Sequence, residues 1–361
     1  MKIVSIFGTR PEMIKMCATL KKLDALNFEH VMVHTGQNYT KELKDFFFKD
    51  LNLRKPDYQL NISTKSYSLG VSDVIIESEK IFKKEKPDAL LILGDTYSGL
   101  SVLPASNMGI KIFHMEAGLR AWDKRMPEQR NRILIDHISD VLLPYNTYHR
   151  ENLIKEGIHP SKIIISGNTT FETMDVFQNI IKKSKILKKL KLRKKEFILY
   201  TAHRSENVDN EDNLKIILES IIDVKKYLNI EVVYPIHPRT YGKKIINSYK
   251  DKIRFIQPLG FFDFNYLLKN SYAVVSDSGT AAEEGLYYGV PNITLRGATE
   301  RYETLESGMT IISGLDKNNI LESIKLATSR KKNISRYDFY RDYSPSDVVI
   351  NALRSKIKNY F

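Results

Sequence analysis

Short apolar runs alternate with amphipathic helical stretches along nearly the whole chain, and that alternation allows few folds other than parallel α/β. The runs KIVSIF, HVMVHT, ALLILG, KIFHME, DVLLPY and KIIIS come first, followed by FILYTA, EVVYPI, RFIQP, AVVSD, NITL and MTIIS. An unbroken apolar strand is one buried on both faces, as in a parallel sheet with helices above and below it. Patterns such as SDVIIESEKIFKKEK and DNLKIILESIIDVKKYL supply those helices. Two such series in succession predict two doubly wound α/β domains facing across a cleft. In sheets of this kind ligands bind at the carboxyl ends of the strands, which is where the chemical residues are expected.

At 361 residues the chain exceeds one ordinary domain and fits two of about 150–180 residues. The expected division is 1–172, 173–343 and a terminal helix within 344–361. That helix, DVVINALRSKIKNYF, has no strand after it and is expected to pack on the first domain. No apolar stretch reaches the ~20 residues of a membrane span. The apolar run in MKIVSIFGTRPE is too short for a signal peptide, so a cytoplasmic location is expected. Cys17 is the only cysteine, which leaves neither a disulfide framework nor a cysteine-based metal site.

A formal charge of +13 raises the question of nucleic acid. Nine Lys or Arg residues and no acid fall within KKSKILKKLKLRKK, residues 182–195. Ile186, Leu187, Leu190 and Leu192 interrupt that run at roughly helical spacing, which fits one docked stripe beneath a solvated basic face. An anion- or membrane-attracting patch is the alternative. No aromatic stacking platform accompanies the charge, so no nucleic-acid partner is expected.

Several motifs stand at the predicted strand ends. In GTRPEMIK, residues 8–15, Gly8 permits a tight turn, Thr9 can cap, and Pro11 suits a first helical turn. The amides of that helix N-terminus, with Arg10 and Lys15, suit a phosphate; a plain βα turn with solvated basic residues is the other reading. Asp95 in GDT and Glu116 in HMEAGLR each end an apolar strand, and Glu128 follows Pro127 at an expected helix start. Carboxylates gathered in a partly dry cleft raise one another's pKa, as proton transfer requires. Capping by Asp95 and an N-terminal position for Glu128 are the structural alternatives.

In the second series, His203 and Arg204 of TAHRSEN and His237 and Arg239 of HPR follow neighbouring strands and together suggest anion binding. Ser278, Gly279 and Thr280 of SDSGTAAEE present hydroxyls and amides at a helix N-terminus, which suits a diphosphate. Glu283 and Glu284 follow one turn on, where a carboxylate can accept both hydroxyls of a ribose. Arg301 lies in LRGATERYE after another strand. An N-capped helix with solvated acids is the alternative.

Taken in order, GTRPE..IK, TGQ, GDT, HMEAGLR, PE..NR, GN, HR.EN, YP.HP, DSG...EE and TER.E resemble the non-hydrolysing UDP-N-acetylglucosamine 2-epimerase family over essentially the whole chain. The resemblance implies two Rossmann-like domains of the GT-B type, a homodimer, a UDP-sugar substrate, and no cofactor or metal. It implies that a base removes the C2 proton while UDP leaves C1, that a 2-acetamidoglucal forms, and that UDP re-adds after the opposite face of C2 is protonated. Asp95, Glu116 and Glu128 match the family's acid/base carboxylates, with His203 joining the catalytic set. Arg10, Lys15, His203, Ser278 and Gly279 look like the diphosphate clamp, and Glu283 like the ribose ligand. Arg204, His237, Arg239, Thr280 and Arg301 complete the expected UDP-binding set.

The sequence also departs from the family pattern. The segment AWDKRM before PE is short, Gln129 follows Glu128, Asn38 ends TGQN, and AHR replaces GHR. LILGDT, FHMEAG, DHISDVLLPY, PLGFFDFN and DSGT look closer to a branch that makes UDP-N-acetyl-L-fucosamine from its talosamine epimer. A UDP-GlcNAc/UDP-ManNAc type epimerase is therefore expected, with the 6-deoxy substrate as the alternative and a GT-B glycosyltransferase behind both.

Overall fold

The structure, a computed structural model, describes residues 1–37, 48–63, 65–123, 126–237, 239–329 and 344–355. Asn38 of TGQN, Lys124 and Arg125 of AWDKRM, Pro238 of HPR and the last residues of the terminal helical pattern lie outside them. The chain divides into two compact units, Met1–Val176 with Asp338–Phe361, and Phe177–Tyr337.

The first unit holds β1 (Lys2–Phe7), β2 (Glu29–His34), β3 (Tyr58–Gln59), β4 (Ala89–Leu93), β5 (Lys111–Met115) and β6 (Val141–Leu143). They form one parallel sheet in the order β3-β2-β1-β4-β5-β6. The second unit holds β7 (Phe197–Thr201), β8 (Glu231–Pro235), β9 (Arg254–Ile256), β10 (Ala273–Ser276), β11 (Asn292–Thr294) and β12 (Thr310–Ile312). Their order is β12-β11-β10-β7-β8-β9, again parallel throughout. Both sheets therefore start at the centre, wind outward to one edge, return, and wind to the other. This is the doubly wound Rossmann-like class, and its strand order reverses between β1 and β4 and between β7 and β10.

The central strands are fully buried because they are apolar on both faces. Val4, Ile6, Leu90 and Ile92 pack with Val74 and Phe82 of the helix Tyr67–Glu85 on one side of the first sheet. Ile198, Tyr200, Val232 and Val275 pack with Leu214, Ile217, Leu218 and Ile221 of the helix Glu211–Leu228 in the second. Ile186 and Leu187 from the basic run dock against Phe197, Leu199 and Val233, while its nine Lys and Arg side chains remain exposed.

Two local expectations are corrected. KIIIS forms no strand; among the described residues its strand pairing is one isolated bridge between Leu142 and Ile163 at the sheet's edge. β3, absent from the predicted strands, pairs Tyr58 and Gln59 with Val33 and His34; one half-exposed and one exposed residue leave no apolar run to read. The helix Pro345–Arg354 lies within the first unit, against the helix Arg10–Ala25. Its Val349 and Leu353 are buried, Asp347 meets Lys22 at 2.5 Å, and the Ser346 amide donates to Glu172 at 2.9 Å.

Gly118 illustrates how tightly the turn after β5 is built. Its φ is +78°, and a Cβ there would stand 2.3 Å from the backbone oxygen of His149. Gly118→Ala is expected to lower the unfolding free energy by about 2–3 kcal/mol, since backbone rather than a side chain must yield. The shift of the urea midpoint measures it.

Candidate active site

The reversal between β1 and β4 sets two turns side by side. The first follows Phe7 and enters the helix Arg10–Ala25 through a capping box. The Glu12 carboxylate accepts from the Gly8 and Thr9 amides at 3.1 and 2.8 Å. Its other oxygen accepts from Thr96 at 2.8 Å and from Ser98. Glu12 thus laces the turn after β1 to the turn after β4, the one that carries Asp95. Burial pushes its carboxyl up, against the lowering effect of the hydroxyls of Ser98, Thr9 and Thr96 and the Gly8 amide. Arg10 begins the helix half-buried.

Lys15, one turn along, points inward. The sequence reading placed it on a phosphate; here its ammonium is buried 2.7 Å from Oε2 of Glu116. Tyr145, just past β6, donates to the same oxygen at 3.0 Å. Arg132 reaches in from the helix Pro127–Ile138, with Nη2 at 2.5 Å from Asp95 Oδ2 and 3.5 Å from Glu116 Oε1. Asp95 and Glu116 are therefore not simply set against each other, as the sequence suggested. Two cations and two carboxylates interlock, which is how charge survives in a dry site. Asn131 holds the turn by donating to the Asp95 carbonyl at 3.0 Å. Glu116 also adopts φ +64°, a left-handed conformation that a non-glycine residue keeps only when its surroundings enforce it.

Glu128 is one turn before Arg132 on the same helix face. Half-exposed, it makes no hydrogen bond or ion pair with Asp95 or Glu116 among the described residues. It lies close enough to Tyr97 to raise that phenol's pKa, after burial and Tyr67.

In the second unit the reversal between β7 and β10 gathers the other expected residues. Asp277, fully buried after β10, accepts from the backbone amides of His203 and Arg204 at 3.1 and 3.0 Å. Asn207 donates to it at 3.0 Å, and His203 Nδ1 stands at 3.2 Å. Burial would raise this carboxyl, but the hydrogen bond and charge of His203, with the Arg204 amide and Asn207, hold it at about 2. The turn so fixed carries His203 half-exposed, its ring tilted against His237 at 5.6 Å. Arg239 Nη1 donates to the His203 carbonyl at 3.3 Å. Ser278, Gly279 and Thr280 form the opening of the helix Gly279–Tyr288, all partly accessible.

Arg301 lies beside Gly279, where a Cβ would stand 3.8 Å from its Nε. Glu283 is completely buried and faces Arg301 Nε at 3.1 Å, so the two form an internal ion pair. Glu284 accepts from Asn265 at 3.1 Å. The reading from sequence also missed four residues that build the site: Glu12, Arg132, Tyr145 and Asp277. Each sat inside a quoted motif or directly at a strand end, and Arg132 stands four residues after Glu128, the helical repeat that would have paired them.

The family model described as UDP-N-acetylglucosamine 2-epimerase matches residues 21–354. A UDP-N-acetylglucosamine 2-epimerase of Methanococcus maripaludis is 41% identical, over 98% of each chain. The crystal structure of the Methanocaldococcus jannaschii UDP-GlcNAc 2-epimerase in complex with UDP-GlcNAc and UDP is similar at a TM-score of 0.89. It is 35% identical and covers 98% of this chain and 99% of its own. The UDP-N-acetylglucosamine 2-epimerase of Rickettsia bellii has a TM-score of 0.87 and 37% identity, over 98% and 95% of the two chains.

The Asp277 cluster sets an acid limit. Its carboxyl falls from an ordinary 3.8 to about 2 in the folded chain, so its stabilising effect is present above the ordinary value and is lost as pH drops through the lower one. Between roughly pH 5 and pH 2, the unfolding free energy should fall about 2 kcal/mol further in the native sequence than in Asp277→Asn. Urea titrations across that range give the comparison.

Proposed function

Because this chain belongs to the UDP-N-acetylglucosamine 2-epimerase family, we propose that it interconverts UDP-GlcNAc and UDP-ManNAc by inverting C2 without hydrolysis. The observation that carries this reading is the interlocked set Lys15, Glu116, Arg132 and Asp95, buried at the strand ends of the first unit. A carboxylate takes the C2 proton as the C1–O bond breaks, and the electron pair leaves with UDP. The resulting 2-acetamidoglucal is protonated at C2 from the opposite face, and a UDP oxygen re-forms the bond to C1. Asp95, Glu116 and Glu128 supply the proton acceptor and donor. Lys15 and Arg132 hold two of them in place and offset their charge.

The C2 proton is weakly acidic, so much of the barrier must be met by stabilising the departing diphosphate. The helix N-terminus at Ser278, Gly279 and Thr280, with His203, Arg204 and Arg239 near it, offers amide dipoles and cations for that charge. Arg10, at the start of its own helix, adds another, and His237 borders His203. Glu283 and Arg301 are left to brace the helix from within. A homodimer working in the cytoplasm belongs to the same proposal, supported by the family resemblance; among the described residues no helix is long and apolar enough to cross a membrane. The relatives compared above are named for UDP-GlcNAc, which favours that sugar over the 6-deoxy talosamine compound.

Proton NMR with UDP-GlcNAc in deuterated buffer tests the assignment. Deuterium at C2 together with UDP-ManNAc is expected, and a static spectrum from folded protein would refute the substrate. Asp95→Asn and Glu116→Gln should each slow turnover at least about 100-fold while UDP, measured by calorimetry, still binds within about threefold.

A further inference from the structure

Glu128, Arg132 and Asp136 fall at successive four-residue steps along the helix Pro127–Ile138, so they share one face about 6 Å apart. The middle one grips Asp95 and Glu116. The last one, Asp136, is fully buried and reaches the backbone beneath both carboxylates. Its Oδ1 meets His114 Nδ1 at 2.8 Å, and Nε2 of the same ring meets the Gly94 carbonyl at 2.8 Å. Its Oδ2 accepts from the Gly118 amide at 3.2 Å and faces Arg120 Nη2 at 2.7 Å. Arg120 in turn forks onto Glu156, Nε to Oε1 at 2.7 Å and Nη2 to Oε2 at 2.6 Å.

Gly94 immediately precedes Asp95, and Gly118 lies two residues after Glu116. Gly94, Glu116 and Gly118 all have left-handed backbone, at φ +75°, +64° and +78°. Glycine enters this region freely and so leaves the turns at Gly94 and Gly118 loose, whereas Glu116 keeps it only under constraint; a buried partner fixes all three. The Asp136 carboxylate and the Gly94 carbonyl are both acceptors, and they face the two ring nitrogens of His114. Burial would raise the Asp136 carboxyl, but His114 and Arg120 hold it below its ordinary value, so it remains an acceptor. The path Gly94–His114–Asp136–Gly118 is thus a single hydrogen-bonded strap under the two catalytic turns.

Resting on the epimerase reading, we propose that Asp136 and His114 are positioning residues that fix the height and direction of Asp95 and Glu116 for proton transfer at C2. They touch no substrate, and the nucleotide is held elsewhere. Their loss therefore lowers the rate of the proton step and leaves nucleotide affinity in place. A misplacement of the order of 1 Å is enough to slow such a step about 100-fold.

The test compares Asp136→Asn, His114→Asn and His114→Gln with the native sequence and with Val74→Ala, a core change on the buried face of the helix Tyr67–Glu85. Each is checked for folding by circular dichroism at a temperature where it is fully folded. Deuterium exchange at C2 of UDP-GlcNAc gives kcat and KM, and calorimetry gives the Kd of UDP. Asp136→Asn should lose about 30-fold or more in kcat with KM and Kd within about threefold, whereas Val74→Ala loses stability alone. His114→Gln, whose amide can still reach the Gly94 carbonyl, should keep at least about tenfold more kcat than His114→Asn, which cannot; this arm stands even where Asp136→Asn fails to fold. Folded Asp136→Asn and His114→Asn with kcat within about threefold of the native value overturn the positioning role while leaving the epimerase intact. A native sequence that exchanges no deuterium overturns both.

Discussion

Each half of this chain is organised by one pair of parallel strands, β1 beside β4 and β7 beside β10, where the strand order turns back. At that pair the following connections depart to opposite sides of the sheet, so the two turns diverge and leave backbone amides and side chains uncovered at the carboxyl edge. Asp95, His203 and Ser278 hang from those turns, and the neighbouring strand ends and the helix Pro127–Ile138 bring Glu116, Tyr145 and Arg132 to the first of them. In the first unit Glu12 ties one turn to the other; in the second, Asp277 does the same, joining the turn after β10 to the turn after β7. The two acids have one physical task, collecting amide and hydroxyl donors that a tight turn would otherwise leave unsatisfied.

The burial of charge is a consequence of that arrangement. Carboxylates at strand ends stand at the margin of an apolar core, where an unpaired ion is costly. Lys15 and Arg132 come from helices on either side of the turns, so the pairing of opposite charges also fixes how those helices sit on the sheet. Breaking one such pair by removing a partner typically costs about 3–5 kcal/mol, which makes the constellation a structural commitment as well as a chemical one. The same geometry in the second unit is lighter in charge and more open, with His203, Arg239 and the start of a helix presented outward.

Much of this was legible in the amino-acid order because parallel strands advertise themselves. Runs such as ALLIL and FILYT can be buried only on both faces, and the residues directly after them form, by topology, a turn at the site. Asp95, Glu116, His203 and Ser278 were readable for that reason. The strand KIIIS was misread because an apolar run states only that a segment is buried, and Ile163 satisfies that with a single bridge. β3 escaped because sheet pairing is made by backbone, and two residues carry no pattern. Lys15 shows the deeper limit: a cation beside an anion site is visible in sequence, but whether it meets a phosphate or a carboxylate is decided by residues 101 positions away. Glu283 shows the same limit, since spacing along a helix gives a face but not the Arg301 side chain that lies opposite it.

The helix Pro345–Arg354 adds an order in time. It docks on the helix Arg10–Ala25 through Lys22 and Asp347, and its Arg354 covers the ring of Phe28 at 4.2 Å. The first unit is consequently assembled from two stretches of chain with the whole second unit between them. During synthesis the later unit, being contiguous, has all its strands before the earlier one has its last helix. In order of synthesis the helix follows every strand of the second unit, so the surface beneath Val349 and Leu353 stays bare until residues 345–354 have been made.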